Sequence, residues 1–147
     1  MKIYLDSCCL NRLTDDPKQT RIRAEAEVVE RVLKLVRDGV VEWISSDALI
    51  DEVDRNPGME RKLANAALLA LASNVIETDN QIADRARWLH GLGYGVFDAL
   101  HLASAEAARV DVLLTTDDDF VRKASRGDGR PRVAVRNPLS WSRENLP

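Results

Sequence analysis

Lys2-Ile3-Tyr4-Leu5-Asp6-Ser7-Cys8-Cys9-Leu10 reads as a short apolar strand, Lys2 to Leu5, that ends on an acid and passes straight into a helix entry. The same passage recurs downstream. Val40 to Ile44 is apolar apart from Glu42, and it leads into Ser45-Ser46-Asp47, where Ser46 or Asp47 would cap a helix carrying Leu49, Ile50, Glu52 and Val53. Val112-Leu113-Leu114-Thr115 is a further strand, followed by an acid run and a helix from Asp118 to Ala124. Between these units lie helical patterns. From Pro17 to Asp38 the apolar residues Ala24, Val28, Val32, Leu35 and Val36 fall three and four apart, and Gly39 closes the segment. Asn56-Pro57-Gly58 separates the Glu52 helix from an Ala- and Leu-rich one, Met59 to Ser73. Asn74 to Glu77 is a short strand, and Asp79 to Leu92 is helical with Ile82, Ala86 and Leu89 on one face. Gly91, Gly93 and Gly95 mark a connecting loop, Val96 to Arg109 a mostly buried helix, and Val133 to Val135 a last short strand. The segment Asn137-Pro138-Leu139-Ser140-Trp141 is expected to be irregular.

Strands alternating with helices imply parallel pairing, right-handed crossovers and helices on both faces. The expected fold is therefore α/β, a three-layer α/β/α sandwich around a mostly parallel sheet. With 147 residues, 45% hydrophobic and 31% charged, residues 1–147 make one domain with one core. No apolar run approaches the roughly 18 residues of a membrane span, and the first acid comes too early for a secretory leader, so a cytoplasmic protein is expected. Cys8 and Cys9 are adjacent, a spacing that suits neither an ordinary disulfide nor a metal clip, and they read as packing residues in a reducing compartment. The formal net charge of -3 excludes a generally basic nucleic-acid coat. It hides a gradient: from Phe120 onward seven basic residues (Arg122, Lys123, Arg126, Arg130, Arg132, Arg136, Arg143) stand against two acids, Asp128 and Glu144. Taken alone, that tail reads as a solvated basic surface; beside an acidic socket it would suit a phosphate-backbone substrate.

In parallel α/β sheets the binding crevice lies at the carboxyl ends of the strands. Asp6 and Asp117 fall at or just past strand ends, Glu52 sits about two turns into its helix, and Asp98 stands in the otherwise apolar helix start Val96-Phe97-Asp98-Ala99-Leu100-His101-Leu102-Ala103. Each acid has an ordinary explanation as a helix cap, a dipole partner or a solvated group. One hypothesis covers all four, because hard cations such as Mg²⁺ take oxygen ligands from a few carboxylates plus substrate phosphate. The chain has no Gly-x-x-x-x-Gly-Lys, no Gly-x-Gly-x-x-Gly after a strand and no His-Glu-x-x-His, so nucleotide-binding and zinc-protease readings lack their parts. A haloacid-dehalogenase-like phosphatase would need a second Asp two residues after Asp6, where Cys8 stands. Trp43, Trp88 and Trp141 are scattered and indicate no base-stacking platform.

Leu5-Asp6-Ser7, Ser46-x-x-Leu49-Ile50-x-Glu52-Val53, Phe97-Asp98-Ala99-Leu100-His101-Leu102-Ala103 and Leu114-Thr115-Thr116-Asp117-Asp118-Asp119-Phe120, in this order over nearly the whole chain, resemble the four motifs of PIN-domain ribonucleases, in particular the VapC-type toxins of toxin–antitoxin pairs. The resemblance implies that Asp6, Glu52, Asp98 and Asp117 are catalytic acids that bind Mg²⁺ or Mn²⁺, with Thr115 a supporting hydroxyl, Asp119 an auxiliary acid, and Asp118 at a variable position. It casts His101 as a packing or supporting residue. Asn11 lies near the first motif as a more distant candidate, and His90 reads as a favourable helix C-terminal residue. The function implied is metal-dependent endoribonuclease cleavage of RNA to a 5′-phosphate and a 3′-hydroxyl, with Arg side chains of the tail or of the Arg12 to Arg23 segment on the RNA backbone. A small antitoxin covering the acidic pocket, with an Arg among the carboxylates, and a homodimer are implied as partners. The alternative is a PIN-like module that binds RNA or protein without cutting.

Overall fold

A computed structural model describes residues 1–147. Its strands are β1 (Lys2–Leu5), β2 (Glu42–Ser46), β3 (Asn74–Ile76), β4 (Val112–Leu114) and β5 (Ala134–Arg136). They form one sheet in the order β3-β2-β1-β4-β5, every pair parallel. The helices are α1 (Ser7–Asn11), α2 (Thr20–Arg37), α3 (Asp47–Asp54), α4 (Met59–Leu69), α5 (Asn80–Gly91), α6 (Val96–Ala108), α7 (Asp118–Ser125) and α8 (Pro138–Asn145). This is the α/β/α sandwich that the alternation of strands and helices predicts. Ile3, Tyr4, Leu5, Leu113 and Leu114 are fully buried, as continuous apolar strands covered on both faces must be.

The sheet order decides where a site can form. From β1 the chain builds outward through β2 and β3 on one side, then returns to add β4 and β5 on the other. The connections therefore diverge between β1 and β4, and a crevice opens at the carboxyl ends of those two strands. Register pins them together there: Leu5 pairs with Leu114, and the Asp6 N–H donates to the Leu114 carbonyl at 3.2 Å.

Several boundaries move from their expected places. The strand expected at Val40 to Ile44 runs from Glu42 to Ser46, because Gly39, at φ +73° in the left-handed region, ends α2 and leaves Val40 and Val41 in the turn back to the sheet. Ser46, not Asp47, caps α3: its hydroxyl accepts from the Leu49 N–H at 3.0 Å. The helix expected to reach Ser73 stops at Leu69. The clearest correction is at the tail, where α8 replaces the irregular segment expected from Asn137 to Trp141. The Asn137 side chain accepts from the Leu139 N–H at 2.7 Å, and Pro138 occupies the first turn, where a missing N–H costs nothing. Trp141 is buried, and Asn137 Nδ2 also donates to the buried Glu25 on α2 at 2.6 Å, so tertiary contacts complete what the cap begins.

Candidate functional site

Asp6 leaves β1 at the crevice and is 3% exposed. Its Oδ1 caps α1, accepting from the Cys9 N–H at 3.3 Å and from the Cys8 thiol at 2.7 Å. Burial, then the adjacent Cys8 sulfur, pushes the Asp6 carboxyl well above the ordinary carboxylate range, against the opposing pull of His101. Across the crevice, Thr115 follows β4. Its buried hydroxyl accepts from the Asp117 N–H at 3.1 Å and lies 3.2 Å from Cys8 Sγ, while the Thr116 N–H donates to the same sulfur at 3.2 Å.

Asp117 caps α7, its Oδ1 accepting from the N–H groups of Asp119 and Phe120 at 2.9 and 3.2 Å, and it lies at the exposed rim. Asp98 enters from the first turn of α6 and is half-buried. A carboxylate at that position ordinarily gains from the helix dipole. Here burial, followed by the charges of Asp6 and Asp117, pushes its carboxyl up to about 7, with Glu52 adding in the same direction and His101 opposing. The four expected acids therefore act on one electrostatic centre, converging from β1, α3, α6 and the β4–α7 turn.

Glu52 is held by a chain of side chains. The Glu52 Oε1 lies 2.9 Å from His101 Nε2, His101 Nδ1 lies 2.6 Å from the Tyr4 hydroxyl, and that hydroxyl lies 2.6 Å from Ser46 Oγ. One assignment satisfies every partner: Ser46 donates to Tyr4, Tyr4 to His101 Nδ1, and His101 Nε2–H to the carboxylate, while Ser46 accepts from the Leu49 N–H. Burial raises the Glu52 carboxyl, but the interaction with His101 outweighs it and holds the group below its usual range. His101 is 1% exposed and has a partner at each ring nitrogen.

Other candidates fall outside the cluster. Asp119 is exposed and paired with Arg122 and, at 2.8 Å, with Lys123. Asp118 pairs with Arg21 at 2.6 Å. Asn11 accepts from Asn65 of α4 at 2.8 Å. His90 Nδ1 meets the Tyr94 carbonyl at 2.8 Å just past the end of α5. Much of the basic tail is neutralised internally, Arg126 by Asp128 and Arg136 by Glu144, which leaves Arg130, Arg132 and Arg143 without ion pairs. Among the Arg12 to Arg23 side chains, Arg12 and Arg21 converge on the buried Glu25, at 2.9 and 3.4 Å.

Three participants were not singled out by their sequence pattern. Tyr4 and Ser46 belong to the His101 chain, and nothing in a strand Tyr or a capping Ser announces such a link. Cys8 is the third. The expectation that both cysteines merely pack fails for Cys8, whose sulfur is wedged between Asp6 and Thr115, while Cys9 is buried with its thiol on the Leu114 carbonyl at 3.3 Å. Its position two residues after the first acid was the available signal.

The strongest charges acting on Asp98 are three negative ones, offset only by His101. Carboxylate oxygens are the donor type a hard divalent cation takes, although no three of the four acids bring ligand atoms within 4.8 Å of one another in this arrangement. An acid cluster at the switch point of a parallel sheet defines a class of α/β protein whose site is assembled from sequence-distant carboxylates.

The chain belongs to the PIN domain family, whose model matches residues 3–125. No curated protein sequence matches it. Among solved structures it is similar to VapBC-1 from nontypeable Haemophilus influenzae, at 17% identity with a TM-score of 0.61, covering 95% of this chain and 99% of that one. It is also similar to Mycobacterium tuberculosis VapC20, described as a toxin that cleaves the sarcin–ricin loop, at 18% identity and a TM-score of 0.59 over 87% and 97% of the two chains. A DNA-bound VapBC from Salmonella typhimurium shares 19% identity with a TM-score of 0.58 over 94% and 98%. At these identities the likeness is one of fold. No helix is long and apolar enough to cross a membrane.

Proposed function

We propose that this chain is a metal-dependent endoribonuclease and the toxin of a type II toxin–antitoxin pair. The observation that carries the reading is the convergence of Asp6, Glu52 and Asp117 from separate elements on the half-buried Asp98, whose carboxyl is pushed up to about 7 by burial and by the charges of Asp6 and Asp117. Those four side chains would hold Mg²⁺ or Mn²⁺, which when bound would supply a Lewis acid able to activate water and to neutralise charge on the phosphodiester. Asp6 is fixed by its cap bonds to α1, and Glu52 by the chain through His101, Tyr4 and Ser46, so two of the four carboxylates come to the substrate already oriented. Thr115 supports by holding the backbone of Asp117. Asp119 contributes only through the start of α7. Water oxygen adds to phosphorus, the bond to the 3′-oxygen breaks, and that oxygen leaves with a proton, giving a 5′-phosphate and a 3′-hydroxyl.

The VapBC neighbours support a small antitoxin as partner; an Arg guanidinium on that partner would be a bidentate counterpart of the carboxylates. Homodimerisation and a cytoplasmic location accord with the same reading. Asp6→Asn keeps the shape and the cap acceptor while removing the charge. Cleavage should disappear and RNA binding, followed by filter retention or anisotropy, should persist. Undiminished cleavage by this variant would sink the assignment, and tight binding without cleavage by the wild type would establish the non-catalytic alternative.

A further inference from the structure

The tightest convergence of metal-ligating atoms is not within the acid quartet. One carboxylate oxygen of Asp6 and the sulfurs of Cys8 and Cys9 all lie within 4.8 Å of one another. Ligands of a tetrahedral Zn²⁺ ion stand about 2.0–2.3 Å from the metal, so atoms this close need little movement to share one. Around Cys8 the surroundings are suited to a bound thiolate, whereas burial pushes the Cys9 thiol up, so Cys9 loses its proton only to a bound cation. The Thr116 N–H already donates to Cys8 Sγ at 3.2 Å, and the Thr115 hydroxyl lies at the same distance from it. Such outer contacts orient a metal ligand and stabilise its charge. Cys9 is buried, with its thiol on the Leu114 carbonyl at 3.3 Å, whereas Cys8 is half-buried and gives the site an open side.

We infer that Asp6, Cys8 and Cys9 form a site for a thiophilic divalent cation of the Zn²⁺ class, sharing Asp6 with the carboxylate cluster. Binding replaces the two S–H bonds by metal–sulfur bonds and releases both protons to solvent; nothing is oxidised or reduced. Water takes the fourth position on the open side. The sulfurs distinguish this ion from Mg²⁺, which prefers oxygen donors alone. Zinc on one oxygen of Asp6 neutralises the first acid of the quartet and places a second positive charge beside it, so zinc occupancy weakens the hard-cation centre and lowers its activity. The binding stands without the nuclease reading, while the inhibition rests on it.

Cobalt reports the site directly. Titrating the full-length wild type with Co²⁺ should produce a sulfur-to-cobalt charge-transfer band in the near ultraviolet, which Zn²⁺ abolishes by displacement. The band should be lost in Cys8→Ser and kept in Glu52→Gln. No band in the wild type, or an unchanged band in Cys8→Ser, overturns the proposal. Should Cys8→Ser fail to fold by circular dichroism, alkylation of native wild type decides: Zn²⁺ should shield Cys8 from iodoacetamide, read by mass spectrometry, and equal labelling with and without Zn²⁺ overturns the site. In the cleavage assay the inhibitory Zn²⁺ concentration should rise on the order of tenfold or more in Cys8→Ser, the scale on which altered metal surroundings weaken binding. A cobalt band with no RNA cleavage under any ion would refute the nuclease reading and leave the zinc-class site standing.

Discussion

Replacing Asp98 by Asn reads the electrostatics of the cluster most cleanly, because Asn mimics the protonated acid in shape. Burial, then Asp6 and Asp117, lifts the Asp98 carboxyl from an ordinary value of 3.8 to about 7. A carboxyl raised in this way binds more protons in the folded state than in the unfolded one. Its contribution is fully present below the unfolded pKa and is lost as pH rises through about 7. The whole shift corresponds to about 4 kcal/mol at about 1.4 kcal/mol per unit. Asp98 is only half-buried, and solvent screening reduces the expected effect to about 1–2 kcal/mol. Asp6 is raised too, so part of the relief is shared between the two acids. In chelator at about pH 8, Asp98→Asn should therefore melt about 2–6 °C above the wild type, and at about pH 4 the two should coincide. Added Mg²⁺ should stabilise the wild type more than the variant at the higher pH. Thermal unfolding followed by circular dichroism at both pH values makes the comparison. A variant no more stable than wild type at about pH 8, or a gap of the same size at about pH 4, would refute the reasoning.

Two further outcomes test the framework around the site. Tyr4→Phe removes the hydroxyl between Ser46 and His101, leaving two buried polar groups short of a partner; urea unfolding should show a loss of about 1–3 kcal/mol, and kcat for cleavage should fall more than KM changes as Glu52 loses its orientation. Gly129→Ala should be much worse tolerated than Gly39→Ala. Both glycines have positive φ, but a Cβ at Gly129 would meet the buried Leu89 side chain at 2.5 Å, whereas one at Gly39 meets nothing within 4 Å. The first should cost about 1–3 kcal/mol beyond the second by the same unfolding measurement.

The architecture was largely legible because its signals are local and repeated. Short apolar strands running into capped helices specify a parallel sheet, and the acids stand at or near those junctions. Four motifs in order pointed to Asp6, Glu52, Asp98 and Asp117, and the structure sets Asp6, Glu52 and Asp117 where their charges act on Asp98. What stayed hidden depends on contacts between distant residues. The helix α8 carries Asn137 and Pro138 as an ordinary cap and first turn, yet its short length makes it marginal until Trp141 and Glu25 hold it. Tyr4, Ser46 and His101 come from β1, β2 and α6, so their chain exists only once the sheet has formed. Asp119 shows the opposite failure: its sequence position beside Asp117 suggested a role, but its side chain faces the basic residues one turn along α7. Cys8 was passed over because residue type alone argues for packing, and only the fold shows a sulfur between an acid and a hydroxyl.

The central claim, that the carboxylates form a metal-dependent RNA-cutting centre, is tested most directly by incubating the purified protein with a mixed RNA pool in Mg²⁺ or Mn²⁺ and in excess chelator, beside Asp98→Ala. The account predicts cleavage with either ion, products carrying 5′-phosphates, none in chelator and none by the variant. Cleavage that survives chelation or the loss of Asp98 would contradict it.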